Sequence, residues 1–158
     1  MSAPRVLHVE PGQGVAEVGT AILVFLQRIQ TITTARALQA ATRARTGRPR
    51  GSVVYLIEPF IGLPGSDVRS VMIDVAHESD RSYAALALIV EGGALQVAAA
   101  RAFVIGLKLA TSMQLPFELF PGVRPASLWL RRHDPGFPSD AAFADGVRAL
   151  RQRVAAHR

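Results

Sequence analysis

The fold of this chain is decided by the stretch LALIVEGGALQVAAARAFVIGLKLATSM, which runs from Leu86 to Met113. It starts with five consecutive apolar residues, and an apolar run this short bounded by glycine predicts a buried strand rather than a buried helix. The small and apolar residues at 94–113 then predict a helix that is apolar around most of its circumference. Such a helix must be covered on more than one side, by the sheet and by a ligand, a membrane or a second protein.

The composition predicts a single globular domain of ordinary size. The chain has 158 residues, of which 49% are hydrophobic and 19% charged, so it can form a core of its own. It contains no cysteine, which excludes disulfides, thiolate metal sites and cysteine nucleophiles. The N-terminal residues lack the apolar core of a signal peptide, and no uninterrupted apolar run reaches about 18 residues. We therefore expect a cytoplasmic protein without a transmembrane segment.

The positive charge does not indicate a nucleic-acid partner. The formal net charge is +6, and Lys108 is the only lysine among otherwise arginine cations. This bias, together with abundant alanine, is typical of GC-rich coding sequence. Aromatic residues do not interleave with the arginines as they do in surfaces that stack bases.

Alternating strand and helix patterns predict an α/β fold with a mostly parallel, roughly five-stranded sheet flanked by about four helices. Strand patterns occur at 52–58, 86–90 and 116–120, and an edge hairpin is predicted at 15–18 and 22–26. Whether the first strand is 6–10 or 15–18 stays open. Helices are predicted at 35–45 after threonine caps, from Ser66 after a loop at 60–65, at 94–113 and at 125–130.

A further helix follows a proline-rich linker at the C-terminus. Ser139-Asp140 caps it, it ends at about Ala156, and its apolar stripe consists of Phe143, Val147, Leu150 and Val154. We therefore divide the chain into an α/β domain at 1–132 and a linker with an amphipathic helix at 133–158. This helix packs back on the sheet or binds a neighbouring molecule, and its stripe is a candidate interface.

The helix at 94–113 presents two apolar faces besides the one that the sheet can cover. One stripe has i, i+4, i+7, i+11 spacing and combines two valines with two cations: Val97, Arg101, Val104 and Lys108. Another face carries Leu95, Ala98, Ala102, Ile105 and Leu109. An exposed apolar stripe of this size marks an interface. The alternative is that the C-terminal helix covers the stripe within the same subunit.

The sequence does not indicate a catalytic, cofactor or metal site. The four histidines, His8, His77, His133 and His157, are scattered and have no metal-ligand spacing. Gly92-Gly93 could cradle a phosphate, but a tight turn with positive φ is the favoured interpretation. Ser66 is interpreted as a helix N-cap and Trp129 as a core residue. An enzyme would have to assemble Ser66, Glu58, Glu91 and His77 in space, so we expect a non-catalytic protein.

The chain resembles the STAS domain of anti-sigma-factor antagonists and bacterial STAS-like proteins. The resemblance covers about 15–130 and is carried by three segments: 53–58 into Gly65-Ser66-Asp67, 86–93 into the alanine-rich helix, and 116–120 into Ala126-Ser127-Leu128-Trp129-Leu130. In the antagonists, a serine or threonine at the start of the second helix is phosphorylated to control partner binding. The resemblance makes Ser66 a possible phosphosite, although the acidic residue before it and the glycine after it are missing.

Two functional hypotheses follow. The first is a non-catalytic STAS-like regulatory or protein-interaction module that forms a homo-oligomer through helix 94–113 or the C-terminal helix. The second is a small-ligand or lipid-binding domain with an apolar pocket beside helix 94–113, in which Arg101 or Lys108 contacts an anionic head group.

Overall fold

The chain forms one six-stranded sheet whose strands lie side by side in chain order, in a computed structural model that describes residues 3–59 and 62–157. The first three strands are antiparallel, and the last four are parallel to one another. The strands are β1 (Arg5–Glu10), β2 (Gln13–Val18), β3 (Ala21–Leu26), β4 (Gly51–Ile57), β5 (Tyr83–Val90) and β6 (Phe117–Phe120). Both N-terminal runs are strands, so β1 is the first strand and the sheet has six strands rather than about five.

Five helices cover the two faces of this sheet. They are α1 (Ile32–Ala44), α2 (Ser66–Ser82), α3 (Ala94–Thr111), α4 (Val123–His133) and α5 (Asp140–Ala156). The first three pack on one face and the last two on the other. Both faces are apolar because alternate residues of each central strand point to opposite sides of the sheet. In β4, for example, Val53 and Tyr55 face α1 to α3, whereas Val54 and Leu56 face α4 and α5. The predicted mixed α/β fold with a mostly parallel sheet is confirmed.

The C-terminal helix α5 is part of the same core. Ser139 caps it by accepting a hydrogen bond from the Ala142 amide, as predicted. Gly146 allows α5 to approach β2 closely, because a Cβ atom there would lie 2.6 Å from Val18 Cγ2. The prediction that the apolar stripe of α5 is an interface is wrong, because the stripe is buried against the sheet. Its four side chains are 0 to 6% exposed: Phe143, Val147, Leu150 and Val154.

The linker before α5 is fixed to the sheet by a buried carboxylate. Asp134 is 1% exposed and accepts hydrogen bonds from the hydroxyls of Thr20 at 2.6 Å and Ser52 at 2.8 Å. Its other oxygen accepts from the Gly136 amide at 3.0 Å. Because α5 is thereby held on the face opposite α3, it cannot cover the exposed side of α3. That predicted alternative is therefore wrong.

Candidate functional site

A cavity of about 510 Å³ lies between α3 and the sheet, which is within the size range of small-molecule sites. The carboxyl ends of β3 and β4 form its floor together with the middle of β5, and α2 and the segment before it form a side wall. Its wall is almost entirely apolar. At its rim stand three exposed apolar side chains, Ile29, Leu63 and Leu95, of which Leu95 is 86% exposed.

In its amino-terminal half, the inner face of α3 carries alanines above a floor of leucines, and Phe103 and Leu107 line the cavity further along the helix. Ala99 and Ala100 line the cavity from the helix, and Leu86 and Leu88 line it from β5. An alanine is too short to bridge the space to the strand, so the amino-terminal half of α3 stands off the sheet. Among the described residues of α3 only Val104 is buried, at 3% exposure, and it belongs to the core beside α2 and β5.

Three polar side chains line the cavity: Gln30, Tyr55 and Gln96. The Gln96 amide is already used, because its Nε2 donates to the Glu58 carbonyl at 3.1 Å. The Tyr55 hydroxyl donates to Met72 Sδ at 3.7 Å. Burial raises the pKa of Tyr55 well above its usual range, and the nearby Gln30 amide opposes part of that rise. Tyr55 is therefore a neutral hydrogen-bond donor at physiological pH.

Gln30 is the unusual member of this set. Its side chain is 6% exposed, and within the described part of the chain its Nε2 has no hydrogen-bond partner of normal geometry. No charged side chain of residues 3–59 and 62–157 lines the cavity. The site can thus hold an apolar molecule and offers it a neutral donor, but it provides no countercharge for an ion.

The predicted stripe on α3 does not form one surface. Val104 is buried, so its assignment to an interface is wrong, and Val97 is half-buried against the core. Lys108 Nζ donates to the Leu115 carbonyl at 2.9 Å and lies 5.2 Å from the centre of the Phe117 ring. Arg101 alone of the four is exposed.

The other predicted face of α3 is the one that meets solvent. Leu95, Ile105 and Leu109 are 86%, 44% and 81% exposed, and Ala98 and Ala102 between them are exposed as well. Their spacing of three and four residues is that of a coiled-coil seam. By length and composition α3 could also cross a membrane. In this fold, however, it joins two paired strands of one sheet and therefore lies alongside them.

Ser66 is exposed and is the first residue of α2, not its cap. Gly65 occupies the N-cap position, and Asp67 Oδ1 accepts the Val68 amide at 2.8 Å, so the predicted capping role of Ser66 is wrong. Gly65 has the extended conformation of an N-cap residue, and a Cβ atom there would lie 3.0 Å from Asp67 Oδ1. Phosphorylation of Ser66 stays a prediction. Phe60 and Ile61 of the predicted loop lie outside the described residues.

The Gly92-Gly93 turn does not use positive φ, contrary to the expectation. The described glycines with positive φ lie elsewhere, and Gly93 is the extended N-cap of α3. Gly92 is required for space instead, because the Gln96 side chain folds back over it.

The four residues that a catalytic site would have to bring together, Ser66, Glu58, Glu91 and His77, have other partners or lie far apart. His77 follows Ser66 by three turns of α2, roughly 16 Å along the axis. Glu91 pairs with Arg151, and Glu58 accepts from Gln27 Nε2 at 2.9 Å. Within residues 3–59 and 62–157, no group of three or more His, Cys, Asp or Glu residues is placed to hold a metal ion.

Sequence reasoning missed Gln30, Tyr55 and the whole cavity floor. A signal was present at Gln30, which follows the fully buried strand β3 within four residues and precedes the Thr31 cap of α1. A polar side chain between these two buried elements has little access to water. Tyr55 gave a weaker signal, as a hydroxyl-bearing side chain in the middle of the buried strand β4.

Comparison with solved structures finds a protein of similar fold. No protein-family model matches the sequence, and no curated protein matches it. Among solved structures, the chain is similar to an uncharacterized protein of the DUF3478 family from Shewanella loihica, which is described as having a SpoIIAA-like fold. The TM-score is 0.50 at 16% sequence identity, over 82% of this chain and 97% of the other. The chain therefore has a SpoIIAA-like, that is STAS-like, fold, which confirms the resemblance at the level of fold.

Proposed function

We propose that this chain is a non-catalytic binding module that holds a small apolar molecule between α3 and the sheet. The observation that carries the proposal is the cavity of about 510 Å³ with its nearly continuous apolar wall. The cavity is open to solvent on one side, so without an occupant its apolar lining is in contact with water, which is unfavourable. An apolar occupant would displace that water without any change in the fold.

The position of the cavity also supports this function. It lies at the carboxyl ends of β3 and β4, where ligands of open α/β sheets bind. Its rim side chains Ile29, Leu63 and Leu95 are exposed, so an apolar molecule would meet apolar surface before it enters. A ligand here would also shelter the inner side of α3, which the sheet alone leaves uncovered.

A fluorescent apolar probe tests the proposal directly. N-phenyl-1-naphthylamine fluoresces strongly in apolar surroundings and has a size suited to the cavity. We expect saturable binding to the wild type. Ala100→Trp, which places the largest side chain on the cavity wall, is expected to weaken binding at least about tenfold, equivalent to 1.4 kcal/mol.

The matched control lies on the opposite side of the same helix. Ala98 is exposed and does not line the cavity, so Ala98→Trp is expected to leave the affinity for the probe unchanged. Equal affinities of the wild type and Ala100→Trp would reject the cavity as the binding site. Absence of saturable binding to the wild type would reject the function.

Self-association is a second candidate function, favoured by a separate observation. The exposed stripe of α3, from Leu95 through Ile105 to Leu109, has a coiled-coil spacing, and the alanines between its large residues allow another helix to approach closely. A second copy of α3 provides the same spacing. Ile105 and Leu109 do not line the cavity, whereas Leu95 stands at its rim, so a contact through the carboxyl-terminal part of the stripe is compatible with an occupied cavity.

A further inference from the structure

The backbone around Gln30 is fixed, which holds its side chain at the cavity. The fully buried side chain of Gln13 spans the segment: its Nε2 donates to the Ile29 carbonyl at 2.6 Å, and its Oε1 accepts the Thr31 amide at 3.0 Å. Thr31 in turn caps α1. Gln30 lies between these two anchored residues, so its side chain enters the cavity wall from a preorganised backbone.

This preorganised amide has no acceptor at normal hydrogen-bond geometry within residues 3–59 and 62–157, and the nearest candidate is the Tyr55 hydroxyl, whose pKa the Gln30 amide lowers. A buried donor that has lost water and gained no partner destabilises the folded state, and a molecule bound beside it is one way in which that cost is offset. Gln30 Nε2 is such a donor among the described residues, and its amide is part of the cavity lining. A leucine at this position would fill the same space without that loss, so packing does not explain the glutamine.

We infer that the cavity takes an uncharged amphiphile whose carbonyl oxygen accepts a hydrogen bond from Gln30 Nε2 while its hydrocarbon part fills the apolar remainder. The inference rests on the function proposed above and adds the ligand's chemical class. The volume of about 510 Å³ corresponds to roughly 17 water-sized groups at about 30 Å³ each. A single-chain ketone, ester or aldehyde fits within this size.

The absence of charged side chains along the described wall of the cavity excludes ionised molecules from the proposed class of ligands. No arginine, lysine or acidic side chain of the described residues lines the cavity, and Lys108 is engaged by the Leu115 carbonyl. An ionised carboxylate would enter without a countercharge, which is strongly unfavourable in an apolar site. A carbonyl group needs only one donor. The Tyr55 hydroxyl provides a second donor. It donates to the thioether sulfur of Met72, which is a weak acceptor, so a ligand oxygen can replace that sulfur as its partner.

Three probes of equal chain length test the inference: 2-tetradecanone, tetradecane and tetradecanoate, each measured by displacement of N-phenyl-1-naphthylamine at pH 8. We expect the ketone to bind more tightly than either of the other two. In Gln30→Leu the preference for the ketone over the alkane is expected to fall about tenfold. That variant keeps its thermal stability, since it removes an unpaired buried donor. Gln39→Leu, the same change on α1 away from the cavity, keeps the preference.

Infrared spectroscopy supplies a readout that altered packing would not move. The carbonyl stretch of 2-tetradecanone labelled with ¹³C at its carbonyl carbon is expected at lower frequency in the wild type than in Gln30→Leu, because hydrogen bonding weakens the C=O bond. Binding of all three probes with equal affinity, or tightest binding of tetradecanoate, would overturn the ligand class and leave the proposed function standing. Displacement by none of them, with no saturable binding of the fluorescent probe, would reject the proposed function itself.

Discussion

Glu10 is a residue whose ionisation is coupled to the start of α1. Its carboxylate accepts hydrogen bonds from the hydroxyls of Thr31 and Thr34, the latter at 2.6 Å, and His8 Nε2 lies 3.7 Å away. Burial alone would raise the pKa of Glu10, but these hydrogen bonds and His8 outweigh it and lower the pKa below the ordinary 4.5. The ionised form of Glu10 therefore stabilises the fold.

The sign of the resulting pH dependence follows from this lowered pKa. The stabilisation is fully present above the unfolded-state pKa and is lost as the pH falls through the folded-state pKa. We expect the wild type to be more stable than Glu10→Gln at neutral pH, and the difference in free energy of unfolding to shrink as the pH falls below about 4.5. Urea unfolding of both proteins, from about pH 6 to about pH 3, measures the difference.

The control for Glu10 is a glutamate on the opposite edge strand. Glu118 in β6 is exposed, and Glu118→Gln is expected to show a small difference from the wild type at every pH. A stability difference for Glu10→Gln that stays constant down to about pH 3 would contradict the assigned role of the ionised carboxylate.

At the scale of elements, the sequence could predict that α3 exists but not which of its faces is covered. Apolar residues surround the helix, so periodicity gives no preferred inner side. Val104 and Arg101 look equivalent on the predicted stripe, yet in the fold one is buried and the other exposed. The difference arises from the crossing of α3 over α2 and β5, which is a property of the assembled sheet. In α5, by contrast, the sequence shows a single apolar stripe, and all four residues of that stripe are buried in the structure.

The exposed stripe of α3 makes self-association measurable. Leu109→Glu places a charge at an apolar position that is 81% exposed, so it is expected to leave the fold intact. If a second copy covers this stripe, the charge is desolvated there, and dimer dissociation is expected at least about tenfold more favourable than in the wild type. Sedimentation equilibrium over a concentration series measures the dissociation constant.

An equivalent leucine on the other face of the sheet serves as control. Leu128 on α4 is 52% exposed, and Leu128→Glu is expected to leave the dissociation constant unchanged. A wild type that stays monomeric at the highest concentrations, or equal dissociation constants for both variants, would show that α3 is not the contact between copies.

At the scale of the whole molecule, the layer arrangement was predictable and the cavity was not. Alternating strands and helices fix a mostly parallel sheet because parallel strands need crossover connections. The cavity depends on a mismatch between separate segments, namely short alanines on α3 above leucines of β5. Each segment alone is an ordinary helix or strand. The clearest local sign of the site was at Gln30, a polar residue between β3 and the Thr31 cap of α1, and Tyr55 gave a weaker one.

Because α5 shares its core with the sheet and α4, we expect α5 to unfold together with them. Leu150 is fully buried in the core that α5 shares with the sheet. Leu150→Ala is therefore expected to lower the free energy of unfolding by about 3 kcal/mol, which is typical of a buried leucine, while Leu128→Ala on the surface changes it little. Urea unfolding is followed by circular dichroism for all helices and by fluorescence of Trp129 on α4.

Both signals report on whether α5 is a separate unit. Trp129 packs against Phe120 and His133 and is remote in sequence from Leu150, so its fluorescence reports on the sheet with α4. If α5 belongs to one cooperative core, Leu150→Ala shifts both unfolding curves to the same lower urea concentration. An amphipathic helix that folded as a unit of its own beyond residue 132 would leave the Trp129 curve in place and add an earlier transition to the dichroism. Such a split would contradict the shared core, because the free energy lost at Leu150 would then not reach the sheet.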